Sequence, residues 1–321
     1  MRRIATGLVL LALCAAAAGC SGGSDDAAGT ATSASGRPGA APPGDRLLAK
    51  IDAGTQPCAL TSGGGSAWVT LYGDATVAQI DPGTNGVTRK LPVKAQPCGI
   101  AWAGGRLWVG ELTGEDVVEL DPKTGKRLAT VPIGGQPWDV QAGDGAVWAV
   151  NRNGTVVRID ARTAKVTATV DAGLQPSGVA IAGGSVWVAE TGEGVVLRID
   201  EKTAKVVGRV KALTAPVWFA GAGSELWVTD ATAGKAARID PSTGDVTATV
   251  ATDPTPLDGG VAGGSTWIPA QKTGVLDRID GSGKIADRIK LASGIFVAQP
   301  AFGDVWVLDY GGTTVWRLAA G

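Results

Sequence analysis

The chain has 321 residues, with 29 Lys plus Arg against 30 Asp plus Glu and a formal net charge of -1. That balance gives no electrostatic reason to expect a nucleic-acid partner, which calls for a basic face. Histidine is absent from the sequence, so serine, cysteine and zinc mechanisms that depend on imidazole are excluded, and catalysis would have to rest on carboxylates, lysine or tyrosine.

Residues 1–19 read as an export signal. Arg2 and Arg3 make a basic start, Leu8 to Ala18 is an apolar stretch too short to span a bilayer, and Ala17-Ala18-Gly19-Cys20 offers small residues for cleavage. This pattern resembles a bacterial lipoprotein signal peptide. The resemblance implies that Cys20 is lipidated and anchors the protein to the bacterial cell membrane on its extracytoplasmic side. An ordinary secretory signal followed by a free cysteine is the alternative. Residues 20–43 are mostly Gly, Ser, Ala, Thr and Pro without apolar periodicity, the composition of a flexible tether with a reach of about 25 Å.

From residue 44 to 321 the chain is one repeat array. Seven tryptophans, Trp68, Trp108, Trp148, Trp187, Trp227, Trp267 and Trp306, recur at steps of 39 or 40 residues, each in a short apolar run. A fixed period near 40 means one supersecondary unit stacked many times. The copy from Pro176 to Val210 reads as four short strands, Gly178 to Ala182, Ser185 to Glu190, Val195 to Asp200 and Lys205 to Val210, separated by turn residues. Three of the turns before the fourth strand open with Asp and Pro, as in Asp81-Pro82, Asp121-Pro122 and Asp240-Pro241. There Asp caps its own turn and Pro presets the following φ.

This predicts an all-β, seven-bladed β-propeller of four-stranded antiparallel blades. The last repeat stops after its third strand, whereas Arg46 to Pro57 aligns with the fourth strand and linker of another repeat, Lys165 to Pro176. The N-terminal strand, 46 to 52, is therefore expected to complete the last blade and hide an edge that would otherwise be open. A monomer is expected.

The repeat itself, in Trp187-Val188-Ala189-Glu190, Val196-Leu197-Arg198-Ile199-Asp200, Thr203-Ala204-Lys205-Val206 and Pro216, resembles the YVTN-type propeller repeat. Its Trp-Val variant is also similar to the streptogramin (virginiamycin B) lyase group. The resemblance covers Arg46 to Gly321 and implies fold far more than activity. That lyase group uses catalytic histidines with a metal, and a chain without histidine inherits none of those residues.

Three sets of residues are candidates for function. Cys58 and Cys98 each follow Gln-Pro at the same point of adjacent repeats, as a disulfide in an oxidising compartment or as two buried thiols. Glu111, Glu190, Asp230 and Asp309 lie three residues after their tryptophans. They either bind a divalent cation such as calcium or accept backbone hydrogen bonds at a loop. Trp138, Asp139, Trp218 and Asp258 replace small residues found elsewhere at the start of the first strand. They mark either a ligand platform at the channel mouth or plain packing between blades. The expected function is a binding or assembly module for an envelope protein or a cell-wall glycan. The competing reading is a carboxylate or metal dependent lyase, lactonase or hydrolase with its centre at that mouth.

Overall fold

The computed structural model describes residues 38–321 apart from Ala95 and Ala222; the export signal and Cys20 lie outside the described residues. The described chain forms seven four-stranded antiparallel sheets arranged as the blades of a propeller. Blade 1 is Pro57–Gly63, Ser66–Leu71, Thr76–Asp81 and Gly86–Pro92, and blades 2, 3, 5 and 6 span residues 97–132, 137–171, 218–251 and 260–290. Blade 4, the copy dissected above, is Pro176–Ala182, Ser185–Glu190, Val195–Asp200 and Lys205–Val210. The sequence reading gives three of these four strands their full extent and starts the first two residues late.

Blade 7 closes as expected. Its first three strands are Ile295–Ala301, Asp304–Asp309 and Thr314–Ala319, and the fourth is Leu47–Asp52 from the start of the chain. The pairing is antiparallel, with Ile51 opposite Val315 and Lys50 opposite Trp316. Ala53 and Gln56 N–H add bonds to the Thr313 and Gly312 carbonyls, each at 2.9 Å. The segment read as tether is described from Pro38, and there Ala41 forms a parallel bridge to Ile289 at the outer edge of blade 6. The chain thus crosses from blade 6 to blade 7 before the ring begins.

The second strand of each blade is buried on both faces, which is why it lacks polar alternation. The seven tryptophans are among the largest fully buried side chains. Seven apolar clusters result, each shared by two neighbouring blades. The cluster between blades 7 and 1, for example, joins Ile51, Val297, Trp306 and Val315 to Leu60, Val69 and Ile80.

The tryptophans also fasten the blades through polar bonds. Trp68, Trp187, Trp267 and Trp306 donate their indole N–H at 3.0 to 3.1 Å to the carbonyl five residues back, clamping the first hairpin. An arginine lies over several of these rings, Arg198 on Trp187 and Arg317 on Trp306, both at 5.2 Å. From there the guanidinium reaches the Asp-Pro turn of the next blade. Arg198 donates to the Ser242 carbonyl at 3.0 Å, and Arg317 donates across the seam to Pro82 and to Asn85 Oδ1. The turn itself is held as the sequence implies, with Asp240 Oδ1 accepting from Ser242 N–H at 2.8 Å.

Replacing Trp187 with alanine is expected to cost about 3–5 kcal/mol, as for other buried aromatics, measured by urea unfolding. Removing Leu47–Asp52 exposes the Thr314–Ala319 edge and should lower the melting temperature sharply; an unchanged melt would refute closure as a stabilising element.

Candidate functional site

The first strand of every blade begins at the ring face that also carries the loops between second and third strands, so residues early in that strand surround one mouth of the channel. The sequence-predicted residues gather there, but as a packed plug rather than an open platform. Trp138 of blade 3 stacks on Trp218 of blade 5, with centroids 6.2 Å apart and planes at 30°. Trp218 meets Phe296 of blade 7 edge-on at 5.5 Å, Phe296 meets Tyr310 at 5.6 Å, and Tyr310 meets Tyr72 of blade 1 at 5.8 Å. The Arg152 guanidinium sits 3.5 Å from the centroid of Trp138.

The structure joins Cys58 to Cys98 by a disulfide with Cα atoms 5.1 Å apart, and this bridge together with Leu112 packs against Tyr72, Trp138, Phe296 and Tyr310. Blades 1 and 2 are thereby linked covalently beneath the aromatic rings. Burial, and next the neighbouring Tyr72, pushes the Tyr310 phenol up to about 12, so it stays neutral. Phe296 and Leu112 were not singled out from the sequence, because an apolar residue in a propeller repeat carries no mark of its role.

Asp139 and Asp258 lie directly under this plug. Asp139 is buried and accepts hydrogen bonds from Val140 N–H at 2.8 Å and from Val179 N–H of blade 4 at 2.9 Å. Its carboxyl is nevertheless pushed up to about 6, chiefly by burial. Asp258 is raised well above the ordinary aspartate value by burial and then by the charge of Asp139, against a 3.2 Å hydrogen bond from Gln299 Nε2. The two acids therefore sense one another, as a pair of carboxyls sharing one site does.

The other four acids do not converge. Glu111, Glu190 and Asp230 are each a clasp within their own blade, tying the end of its second strand to the loop that enters the blade. Glu190 accepts from Gln175 N–H at 2.6 Å, Gly192 N–H at 3.2 Å and Glu193 N–H at 2.5 Å. Asp230 accepts from Ala215, Thr232 and Ala233 N–H at 2.8 to 3.0 Å. Glu111 accepts from Lys94 N–H at 2.7 Å and from Arg127 at 2.6 and 2.9 Å. Burial opposes its ionisation, but those hydrogen bonds prevail and hold it below the ordinary value. Asp309 accepts from Gly311 N–H, with burial the larger influence, and its carboxyl is raised. This arrangement fits the backbone-acceptor reading. Among the described residues no group of three or more Asp, Glu, Cys or His side chains is placed to hold a metal ion.

Comparison with known proteins supports the architecture alone. No family profile matches the chain, and a search of curated proteins finds no match. Among solved structures, a streptogramin B lyase superposes with a TM-score of 0.73 at 17% identity, covering 86% of this chain and 96% of that one. The propeller domain of Cps50 (Swd1) from Myceliophteria thermophila gives 0.73 at 16%, covering 86% and 99%. The WD40 propeller of Doa1 gives 0.73 at 12%, covering 86% and 97%. At such identities the likeness is one of fold, shared by proteins of different activity.

Two outcomes follow. Because Asp139 and Asp258 hold protons more tightly in the folded chain, their contribution is full below the unfolded value near 4 and is lost as pH rises through about 6 and beyond. Asp121, Asp160, Asp200, Asp240 and Asp280 are held low by hydrogen bonds in their turns, so their contribution is lost as pH falls below about 4. The melting temperature should peak between about pH 4 and 6 and fall toward pH 8, and Asp258→Asn should flatten that fall. Separately, Glu190→Ala leaves three N–H groups without their acceptor and should cost about 1–3 kcal/mol in urea unfolding, with no change in response to calcium.

Proposed function

We propose that this propeller is a binding module held outside the cytoplasm through lipidated Cys20, and that its plugged loop face recognises an envelope protein. The observation that carries the reading is the composition and setting of the plug. Two tyrosines, two tryptophans, a phenylalanine and Arg152 are gathered at the centre of a ring face, most of them partly exposed. Tyr, Trp and Arg at the centre of a rigid surface are the residue types that dominate protein–protein binding energy. The ring beneath them is stapled by a disulfide and by inter-blade arginines, so little ordering is lost on association.

The same geometry weighs against a cell-wall glycan. Sugars stack on an open aromatic face, and Trp138 has one neighbour in Trp218 and another in Arg152. It also weighs against a lyase, lactonase or hydrolase centred at this mouth, because the aromatic rings occupy the space where that reading puts substrate. The structural neighbours include the propeller domains of Cps50 and Doa1 beside a lyase, so the fold itself does not commit the chain to catalysis.

Photoreactive residues at Tyr72, Arg152, Lys235 and Tyr310 should capture one dominant envelope protein in cells, while control sites at Lys123 and Lys202 on the opposite face should not. With the purified partner, the double variant Arg152→Ala/Tyr310→Ala should weaken binding by about 2 kcal/mol or more. Equal capture from both faces, or unchanged affinity, would remove the plug from the interface.

A further inference from the structure

Below the plug the inner strands enclose a cavity of about 140 Å³, lined in part by Thr61, Ser62, Asp139, Gln141, Asp258 and Gln299. The rest of the lining is Ala, Leu, Ile and Pro, with no lysine or arginine. First strands run from the plugged face to the opposite one. Ser62, Gln141 and Gln299 lie beyond the aspartates along that direction, so the cavity extends away from the plug.

The two acids differ in what satisfies them. Both oxygens of Asp139 accept a backbone N–H. Asp258 Oδ1 accepts from Gln299 Nε2, which also donates to the Gly259 carbonyl at 3.0 Å, and among the described residues no donor is bonded to Oδ2. Asp258 is half-buried, and its second oxygen and the neighbouring Asp139 put two acids on one cavity whose lining has no basic side chain to balance them.

The donor set selects among cations. Calcium takes six to eight oxygens and is normally held by several carboxylates, and no third acid joins this pair among the described residues. A primary ammonium has three donors and needs three acceptors. The two carboxylates and the side-chain amide oxygens of Gln141 and Gln299 can supply that number.

We propose that the channel cavity binds a small organic cation bearing a primary ammonium group, admitted from the face opposite the aromatic plug. The site is independent of the loop-face reading, since it lies on the other side of the plug and uses none of its rings. Burial and the charge of Asp139 raise the Asp258 carboxyl, and a bound cation favours its ionised form, so binding is linked to loss of a proton. Among the described residues the titratable side chains facing the cavity are Asp139 and Asp258, and the flanking Thr61, Ser62, Gln141 and Gln299 carry no charge.

The test is calorimetric titration of the intact chain with methylammonium chloride at pH 6, 7 and 8, with side-chain carboxyl carbon NMR of the same samples. The affinity should tighten as the pH rises from 6 to 8, with the Asp258 carboxyl carbon moving toward its ionised position on binding. Asp258→Asn, which removes an acid of raised pKa and should fold at least as well at pH 8, should weaken binding at least tenfold. The proposal is overturned if methylammonium binds no more tightly at pH 8 than at pH 6, if Asp258→Asn binds it equally, or if calcium binds there in its place.

Discussion

Closure of the ring is the constraint on which the rest of the molecule depends. A blade of this chain has too little core to stand alone, because its buried strands lie in clusters shared with the blades on either side. A linear stack would leave two blades half covered. Here Leu47–Asp52 joins the last blade and the seam disappears, so the interface between blades 7 and 1 is built like the others. Arg317 reaches over that seam to Pro82 and Asn85 just as Arg198 bridges blades 4 and 5.

A closed ring makes the central channel a place where residues distant in sequence must meet. Trp138, Trp218, Phe296, Tyr310 and Tyr72 come from blades 3, 5, 7 and 1, and their contacts exist only because the ring brings five strand or loop ends to one axis. The plug divides the channel. On one side lies a semi-exposed aromatic and arginine surface suited to protein recognition; on the other lies a polar cavity with two acids held at raised values by burial and by each other. Fold rigidity and chemical specialisation are thus separated, with the repeats supplying the first and the positions that break the repeat supplying the second.

That separation explains what could be read from sequence. The tryptophan period, the Asp-Pro turns and the missing final strand state the architecture directly, since each is a local pattern with a local cause. Asp139, Asp258, Trp138 and Trp218 were visible as departures from the small residues of the other repeats. Their relation was not visible, because the partner that stacks on Trp138 is two blades away and the arginine over it comes from a loop. In the sequence Glu190 and Asp230 leave both a cation and backbone N–H groups open, with the latter favoured. Only the three-dimensional path of Gln175 and Ala215 past these carboxylates distinguishes the two. Gln141 and Gln299 gave no signal, since a lone polar residue on an inner strand gains meaning from the cavity it faces.

Hydrogen–deuterium exchange of the intact chain tests the central claim, a ring closed by its N-terminal strand, most directly. The amides of Leu47–Asp52 should exchange together with those of Thr314–Ala319, at the slow rate of global unfolding. Fast exchange of Leu47–Asp52 while the other six blades stay protected would show that the ring does not depend on its N-terminal strand, and would contradict the account.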